Sequence, residues 1–157
     1  MTDGISIVRL TDNDELMDTA VQYFWKCWGS ESNFSFYDDC IRHSVNTENG
    51  LPGFYLAIRQ GEIIGSYALL VNDLVSRQDL MPWLACLYVN EEFRGQGIGR
   101  LLLDHALRSA AKLGFRNVYL STDLEGYYEG SGWSIYTYAF NPSGEKWKVY
   151  SHPAIEG

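Results

Sequence analysis

The residues best suited to chemistry in this 157-residue sequence lie in two short stretches, Arg94-Gly95-Gln96-Gly97-Ile98-Gly99 and Tyr128-Glu129-Gly130-Ser131-Gly132-Trp133. In the first, three glycines precede an amphipathic run, so ligand atoms can approach backbone amides at a helix N-terminus, a geometry suited to a pyrophosphate. The spacing is G-x-G-x-G; the third glycine of a dinucleotide fingerprint would fall at Arg100, which excludes that motif. A P-loop is excluded as well, because no Gly-Lys-Ser or Gly-Lys-Thr follows at the required distance. Residues 94–116 carry Arg94, Arg100, Arg108, Lys112 and Arg116 against Asp104 alone, a local excess of positive charge that favours an anionic ligand. The competing structural explanation is a tight strand-to-helix turn followed by a solvated basic helix.

Other reactive side chains lack partners in the sequence. Cys27, Cys40 and Cys86 are odd in number, far apart and without metal spacing, so they are expected to be reduced, buried thiols. Cys86 has no adjacent His and is expected to pack rather than attack. His43, His105 and His152 show no ligand spacing, no metal site is expected, and no G-x-S-x-G elbow is present. Glu91, Glu92, Asp123 and Glu125 flank the two stretches and are candidates for a general base, with none singled out over water.

The surrounding elements follow from periodicity. Ile5–Leu10 alternates as a strand, Thr11–Asp14 supplies capping residues, and a helix is predicted from Glu15 to about Trp28. A second helix, with a loop as the alternative, is predicted over about Phe36–Val45. Phe54–Ile58 and Ile63–Val71 read as a hairpin closed at Gly61, and Trp83–Val89 as a strand covered on both faces. Ile98–Leu113 has helical spacing and ends at Gly114. Asn117–Ser121, Trp133–Phe140 and Trp147–Ser151 read as strands, with a helical turn at Leu124–Glu129.

Composition sets the outer bounds. With 46% hydrophobic and 20% charged residues the chain supports a core, and the length suits a single domain over residues 1–157. A net charge of −8 argues against nucleic-acid or anionic-membrane partners. The stretch Met1–Gly4 has no basic or apolar leader character and the most apolar run, Pro82–Val89, is too short to span a bilayer, so a cytoplasmic protein is expected.

Together the two stretches resemble the GNAT superfamily of acetyl-CoA-dependent N-acetyltransferases. Its donor signature is Arg or Gln, two residues, Gly, one residue, then Gly or Ala, matched by Arg94, Gly97 and Gly99; its later Tyr, three residues, Gly, aromatic element is matched by Tyr128, Gly132 and Trp133. The resemblance implies an α/β (α+β) fold with a mixed, mostly antiparallel sheet of 6–7 strands, about four helices, splayed central strands and a β-bulge at the splay. It implies acetyl-CoA as cosubstrate. Amides of Gly95, Gln96, Gly97, Ile98, Gly99 and Arg100 would hold the pyrophosphate, backbone groups of Leu87 and Val89 would bind pantetheine and the acetyl carbonyl, and Arg94 would orient the loop. Tyr128 is implied as the general acid toward the departing thiolate. The stretch from Leu120 to Tyr128 is shorter than the common pattern and lacks its usual Asn.

In such a family the early aromatic region builds the acceptor side, so Trp25, Trp28, Phe34 and Tyr37 are candidates for substrate contact or a dimer surface, and a homodimer is implied by resemblance alone. Residues 1–80 hold twelve acids and five bases, which points to a positively charged small-molecule amine as acceptor. Two alternatives stand beside it: a non-catalytic acyl-CoA-binding regulatory module, and an acetyltransferase acting on protein N-termini or lysines.

Overall fold

Alternating apolar residues at the N-terminus and long apolar runs in the middle of the chain demand sheet, and the computed structural model has one. It describes residues 4–11, 15–122, 124 and 126–156. Seven strands, β1 (Ile5–Arg9), β2 (Gly53–Arg59), β3 (Glu62–Leu70), β4 (Trp83–Val89), β5 (Asn117–Thr122), β6 (Ser134–Phe140) and β7 (Lys146–Pro153), run in the order β1-β2-β3-β4-β5-β7-β6, with β4 and β5 a parallel pair in a mostly antiparallel sheet. The chain divides into two compact units, residues 1–68 with 86–102, and residues 69–85 with 103–157.

In the first unit β1 (Ile5–Arg9) pairs antiparallel with β2 (Gly53–Arg59), Ile5 opposite Arg59 and Arg9 opposite Tyr55. The hairpin into β3 (Glu62–Leu70) turns on Gln60 and Gly61, with φ of 52° and 76°, the two left-handed residues that a twist-compatible hairpin needs. Helix α1 (Met17–Trp28) buries Ala20, Val21 and Phe24 along one stripe, and Phe24 meets Phe54 edge-on at 5.1 Å. It starts at Met17 rather than Glu15, and its N-cap, Leu16, offers no side-chain cap. The capping residues expected at 12–14 lie outside the described residues. Helix α2 (Phe34–Arg42) sits two residues earlier than expected and ends sooner, with Arg42 bridging back to Asp18 and Asp38.

The second unit holds the start of β4 (Trp83–Val89), where Trp83 pairs with Tyr119 of β5 (Asn117–Thr122). β7 (Lys146–Pro153) lies antiparallel to both β5 and β6 (Ser134–Phe140), with an irregularity at Ile135/Thr137. Trp83 is fully buried among Val75, Leu80, Ala139 and Val149, its indole N–H donating to the Leu80 carbonyl at 2.7 Å. Helix α3 (Ile98–Lys112) closes with a Schellman turn: Gly114, at φ 94°, donates to Ala111, and Phe115 donates to Ala110.

Three further expectations are corrected. Three α-helices are present among the described residues rather than about four, accompanied by single 3₁₀ turns at Glu91–Phe93 and Glu129–Ser131. The helical turn expected at Leu124–Glu129 is therefore displaced to the later of these, because Gly126 at φ 78° breaks any helix entering from Leu124. Nor is β4 covered throughout: Trp83 and Leu84 are buried, but Ala85–Val89 are half-exposed.

Candidate active site

The strand that precedes the glycine cluster is irregular at its centre. Cys86 takes φ 54°, a left-handed conformation rare for a residue with a Cβ, and its carbonyl accepts from the hydroxyl of fully buried Ser66 at 2.9 Å. The only register pair of β4 with β5 among the described residues is Trp83↔Tyr119. The left-handed residue lies in the strand where a bulge is expected, and Ser66 is bonded to its carbonyl; nothing in the sequence context of Ser66 marks it. Leu87 and Val89 follow the bulge and are half-exposed.

Beyond β4 the chain makes the 3₁₀ turn Glu91–Phe93 and enters the loop 94–97. Arg94 folds back on the strand: its Nε donates to the Val89 carbonyl at 2.8 Å and its guanidinium lies 5.2 Å from the centre of the Tyr88 ring. Gly95 and Gly97 have φ of 81° and 83°, and a Cβ built at either meets nothing within 4 Å. The glycines are required by backbone conformation, and the space beside them is open to a ligand. Helix α3 starts at Ile98, whose side chain is buried, and its first helical bond runs from Leu101 N–H to the Gly97 carbonyl. The amides of Ile98, Gly99 and Arg100 thus precede the intrahelical ladder and carry the positive end of the helix dipole. Arg94 and Arg100 are exposed and Gln96 and Gly99 half-exposed, so the loop offers amides, room and positive charge, the features a pyrophosphate requires.

The Tyr128 stretch forms a tight turn in the second unit. The Tyr128 carbonyl accepts from Ser131 N–H at 3.0 Å and Trp133 N–H at 3.3 Å, and Gly132 turns at φ 88°. A Cβ on Gly132 would stand 3.0 Å from His152 Nε2, so glycine is needed there for both conformation and space. The Tyr128 ring is half-buried against Trp133 and Tyr150, with Tyr127 edge-on at 4.8 Å. Burial, and secondarily Tyr127, push the Tyr128 hydroxyl up to about 12. Tyr127 is 54% exposed. Tyr150 donates to Glu129 at 2.6 Å, which holds the Glu129 carboxyl below its ordinary range.

The remaining candidates fall out as follows. Glu91 and Glu92 are exposed on their 3₁₀ turn, and Asp123 and Glu125 lie outside the described residues. Trp25 is tied locally, its indole donating to Ser30 O at 2.7 Å and its ring meeting Phe34 at 5.3 Å. Tyr37 meets Phe36 edge-on, while Trp28, 43% exposed, meets Tyr88. Cys27, Cys40 and Cys86 form no disulfide and are half-buried rather than buried, and burial raises Cys27 and Cys40 above the ordinary thiol value. His105 bonds Ser109 on α3, and burial lowers its pKa. Among the described residues no cluster of three metal-ligating side chains occurs, and no helix is long and apolar enough to cross a membrane.

Residues 15–133 match the family model described as the acetyltransferase (GNAT) family. Among solved structures, a GNAT family acetyltransferase from Elizabethkingia anophelis with acetyl-CoA bound is similar at TM-score 0.67 and 19% identity, over 96% of this chain and 99% of that one. An aminoglycoside 6'-N-acetyltransferase complexed with coenzyme A is similar at 0.69 and 16%, over 97% and 98%. The ribosomal-protein-S18-alanine N-acetyltransferase from Escherichia coli is similar at 0.66 and 16%, over 98% and 96%. No curated protein is significantly similar in sequence.

Proposed function

The chain belongs to the GNAT acetyltransferase family of acetyl-CoA-dependent acyltransferases, and on that premise we propose that it transfers the acetyl group to a primary amine of a small, positively charged molecule. The observation that carries the donor half is the loop at the start of α3, where Gly95 and Gly97 leave open space beside main-chain amides. In this proposal the amides of residues 95–100 hold the pyrophosphate, backbone groups of Leu87 and Val89 bind pantetheine and the acetyl carbonyl, and Arg94 fixes the loop through Val89.

The reaction is direct. The free amine attacks the thioester carbonyl carbon, a C–N bond forms, the C–S bond breaks, and the amine's proton balances the one gained by the sulfur. A backbone N–H at Val89 offsets the charge that builds on the carbonyl oxygen. Tyr128 is assigned to the departing sulfur. At about 12 its hydroxyl keeps its proton at neutral pH. An ordinary thiol titrates near ~8.5, so complete transfer from Tyr128 to the thiolate is uphill and the phenol acts chiefly as a hydrogen-bond donor.

The cationic acceptor follows from charge. Residues 1–80 carry an excess of seven acids, a field that draws in and retains a positively charged amine. By their names, the aminoglycoside enzyme acts on a small molecule and the S18-alanine enzyme on an alanine of a ribosomal protein, so similar folds serve both kinds of acceptor.

The test is calorimetric titration with acetyl-CoA and with CoA, followed by thiol release over polyamines, aminoglycosides, neutral amines, acidic amines and a peptide with a free N-terminus. Binding with release on cationic amines is expected. Best turnover on a neutral or acidic amine, or on the peptide, overturns the acceptor assignment. Binding without release on any of them favours a regulatory acyl-CoA-binding module, and absence of binding removes the donor assignment itself.

A further inference from the structure

We propose that Tyr23 of α1 and Asn90 form a positioning pair for the acetyl-CoA loop: they fix the end of β4 from which the loop departs and so set donor affinity without touching the reacting atoms. The proposal rests on the acetyl-CoA assignment above.

Asn90 follows the last residue of β4 and opens the 3₁₀ turn that delivers Arg94. Its main-chain N–H donates to the Ile64 carbonyl at 2.8 Å, and its own carbonyl accepts from Phe93 N–H at 2.9 Å. Its side chain spans two further elements: Nδ2 donates to the Ile63 carbonyl at 3.1 Å, and Oδ1 accepts from the Tyr23 hydroxyl at 2.6 Å. A carbonyl only accepts, so Ile63 decides which end of the amide is nitrogen. The oxygen must then face Tyr23, and the phenol must donate. Aspartate has no donor for Ile63, and glutamine is one methylene longer; asparagine makes both bonds at this reach.

Tyr23 reaches the loop by a second route. Its ring meets Tyr88 at 6.3 Å, and Tyr88 carries the Arg94 guanidinium on its face. The hydroxyl is held in its donating form, since burial, aided by neighbouring Cys27, raises it well above the ordinary tyrosine value. One helical residue thus touches Asn90, which opens the turn leading to the loop, and Tyr88, on whose ring the first arginine of the loop lies. The buried residues of α1 are Ala20, Val21 and Phe24, and Tyr23 lies half-buried beside them.

Tyr23→Phe keeps the ring and removes the donor. Calorimetry with CoA should show Tyr23→Phe and Asn90→Ala each weakening binding by about 3- to 10-fold, the size of one hydrogen bond. The double variant should be no weaker than Asn90→Ala alone, because Tyr23 acts through Asn90. At saturating acetyl-CoA, kcat should stay within about two-fold while the donor KM rises. In the ligand-free protein, amides of residues 91–97 should exchange faster in Tyr23→Phe. Tyr55→Phe, which removes a hydroxyl bonded to Arg9 in the same unit, serves as the structural control and should leave CoA affinity unchanged. Unchanged affinity in Tyr23→Phe, an equal loss in Tyr55→Phe, or additive losses in the double variant overturns the pair while leaving the acetyl-CoA assignment standing. Failure of the unsubstituted protein to bind CoA instead overturns that assignment, and the pair with it.

Discussion

Arg94 and Val89, five residues apart, are joined by a 2.8 Å hydrogen bond from Nε to the main-chain carbonyl. The bond commits the arginine to the strand it has just left. Lysine retains the charge but has no Nε donor of that geometry and no planar face to lay on Tyr88. Arg94→Lys should therefore lose about 3- to 10-fold in CoA affinity, the range for one hydrogen bond, read by calorimetry. If the lysine variant binds CoA like the unsubstituted protein, Arg94 serves by charge alone and the orienting role is lost.

Gly97 allows a comparison between space and conformation. Nothing within 4 Å obstructs a Cβ there, yet its φ of 83° costs any L-residue about 1–2 kcal/mol. A single bond, from Leu101 N–H to the Gly97 carbonyl, ties the position, so the empty loop relaxes at small cost and most of the strain falls on the ligand-bound state. Gly97→Ala should weaken CoA binding by roughly 5- to 30-fold with little change in Tm. A fallen Tm with intact affinity would mean that the turn matters to folding only.

Tyr128 yields a pH prediction with a definite sign. The protonated phenol is the useful form, so its contribution is complete below about 12 and lost only above it. The profile of kcat should accordingly rise with deprotonation of the amine and show no falling limb due to Tyr128 between pH 6 and about 10. Tyr128→Phe should lower kcat about 100-fold, the low end for a positioned donor, with the shape of the profile preserved. A falling limb near neutrality that vanishes in the phenylalanine variant would contradict the assignment.

What was legible in the sequence tracks the range of the forces involved. The strand Trp83–Val89, the helix from Ile98 and its stop at Gly114 are local patterns of hydrophobicity and glycine, and the chain adopts them where the patterns indicate. The start of α1 is less legible because Leu16, a residue with no capping group, occupies the N-cap. The left-handed Cys86 lies beyond local pattern altogether, since its conformation is secured by Ser66 from another strand rather than by a glycine of its own. Likewise Tyr23 and Asn90 are 67 residues apart, and their hydrogen bond exists only once α1 lies against the ends of β3 and β4. The glycine loop was readable because its requirement is conformational; its supports were not, because they are tertiary.

The loop between β3 and β4 contains a carboxylate placed at a cost to folding. Asp73 is half-buried and has no hydrogen-bond or ion-pair partner among the described residues, and burial alone raises it from 3.8 to about 7. Between those two values the folded chain binds a proton that the unfolded chain has released, so stability is greatest below about 3.8 and declines as pH rises toward 7. Above 7 the penalty is complete and constant, at most about 4 kcal/mol and closer to 2 once water reaching the exposed part is allowed for. Asp73→Asn removes the ionisation and keeps the shape. Its Tm should exceed that of the unsubstituted protein by several degrees at pH 8, and the gap should close as pH falls to 4. Melting curves that differ by the same amount at both pH values would show that Asp73 is solvated, or paired, in the folded chain.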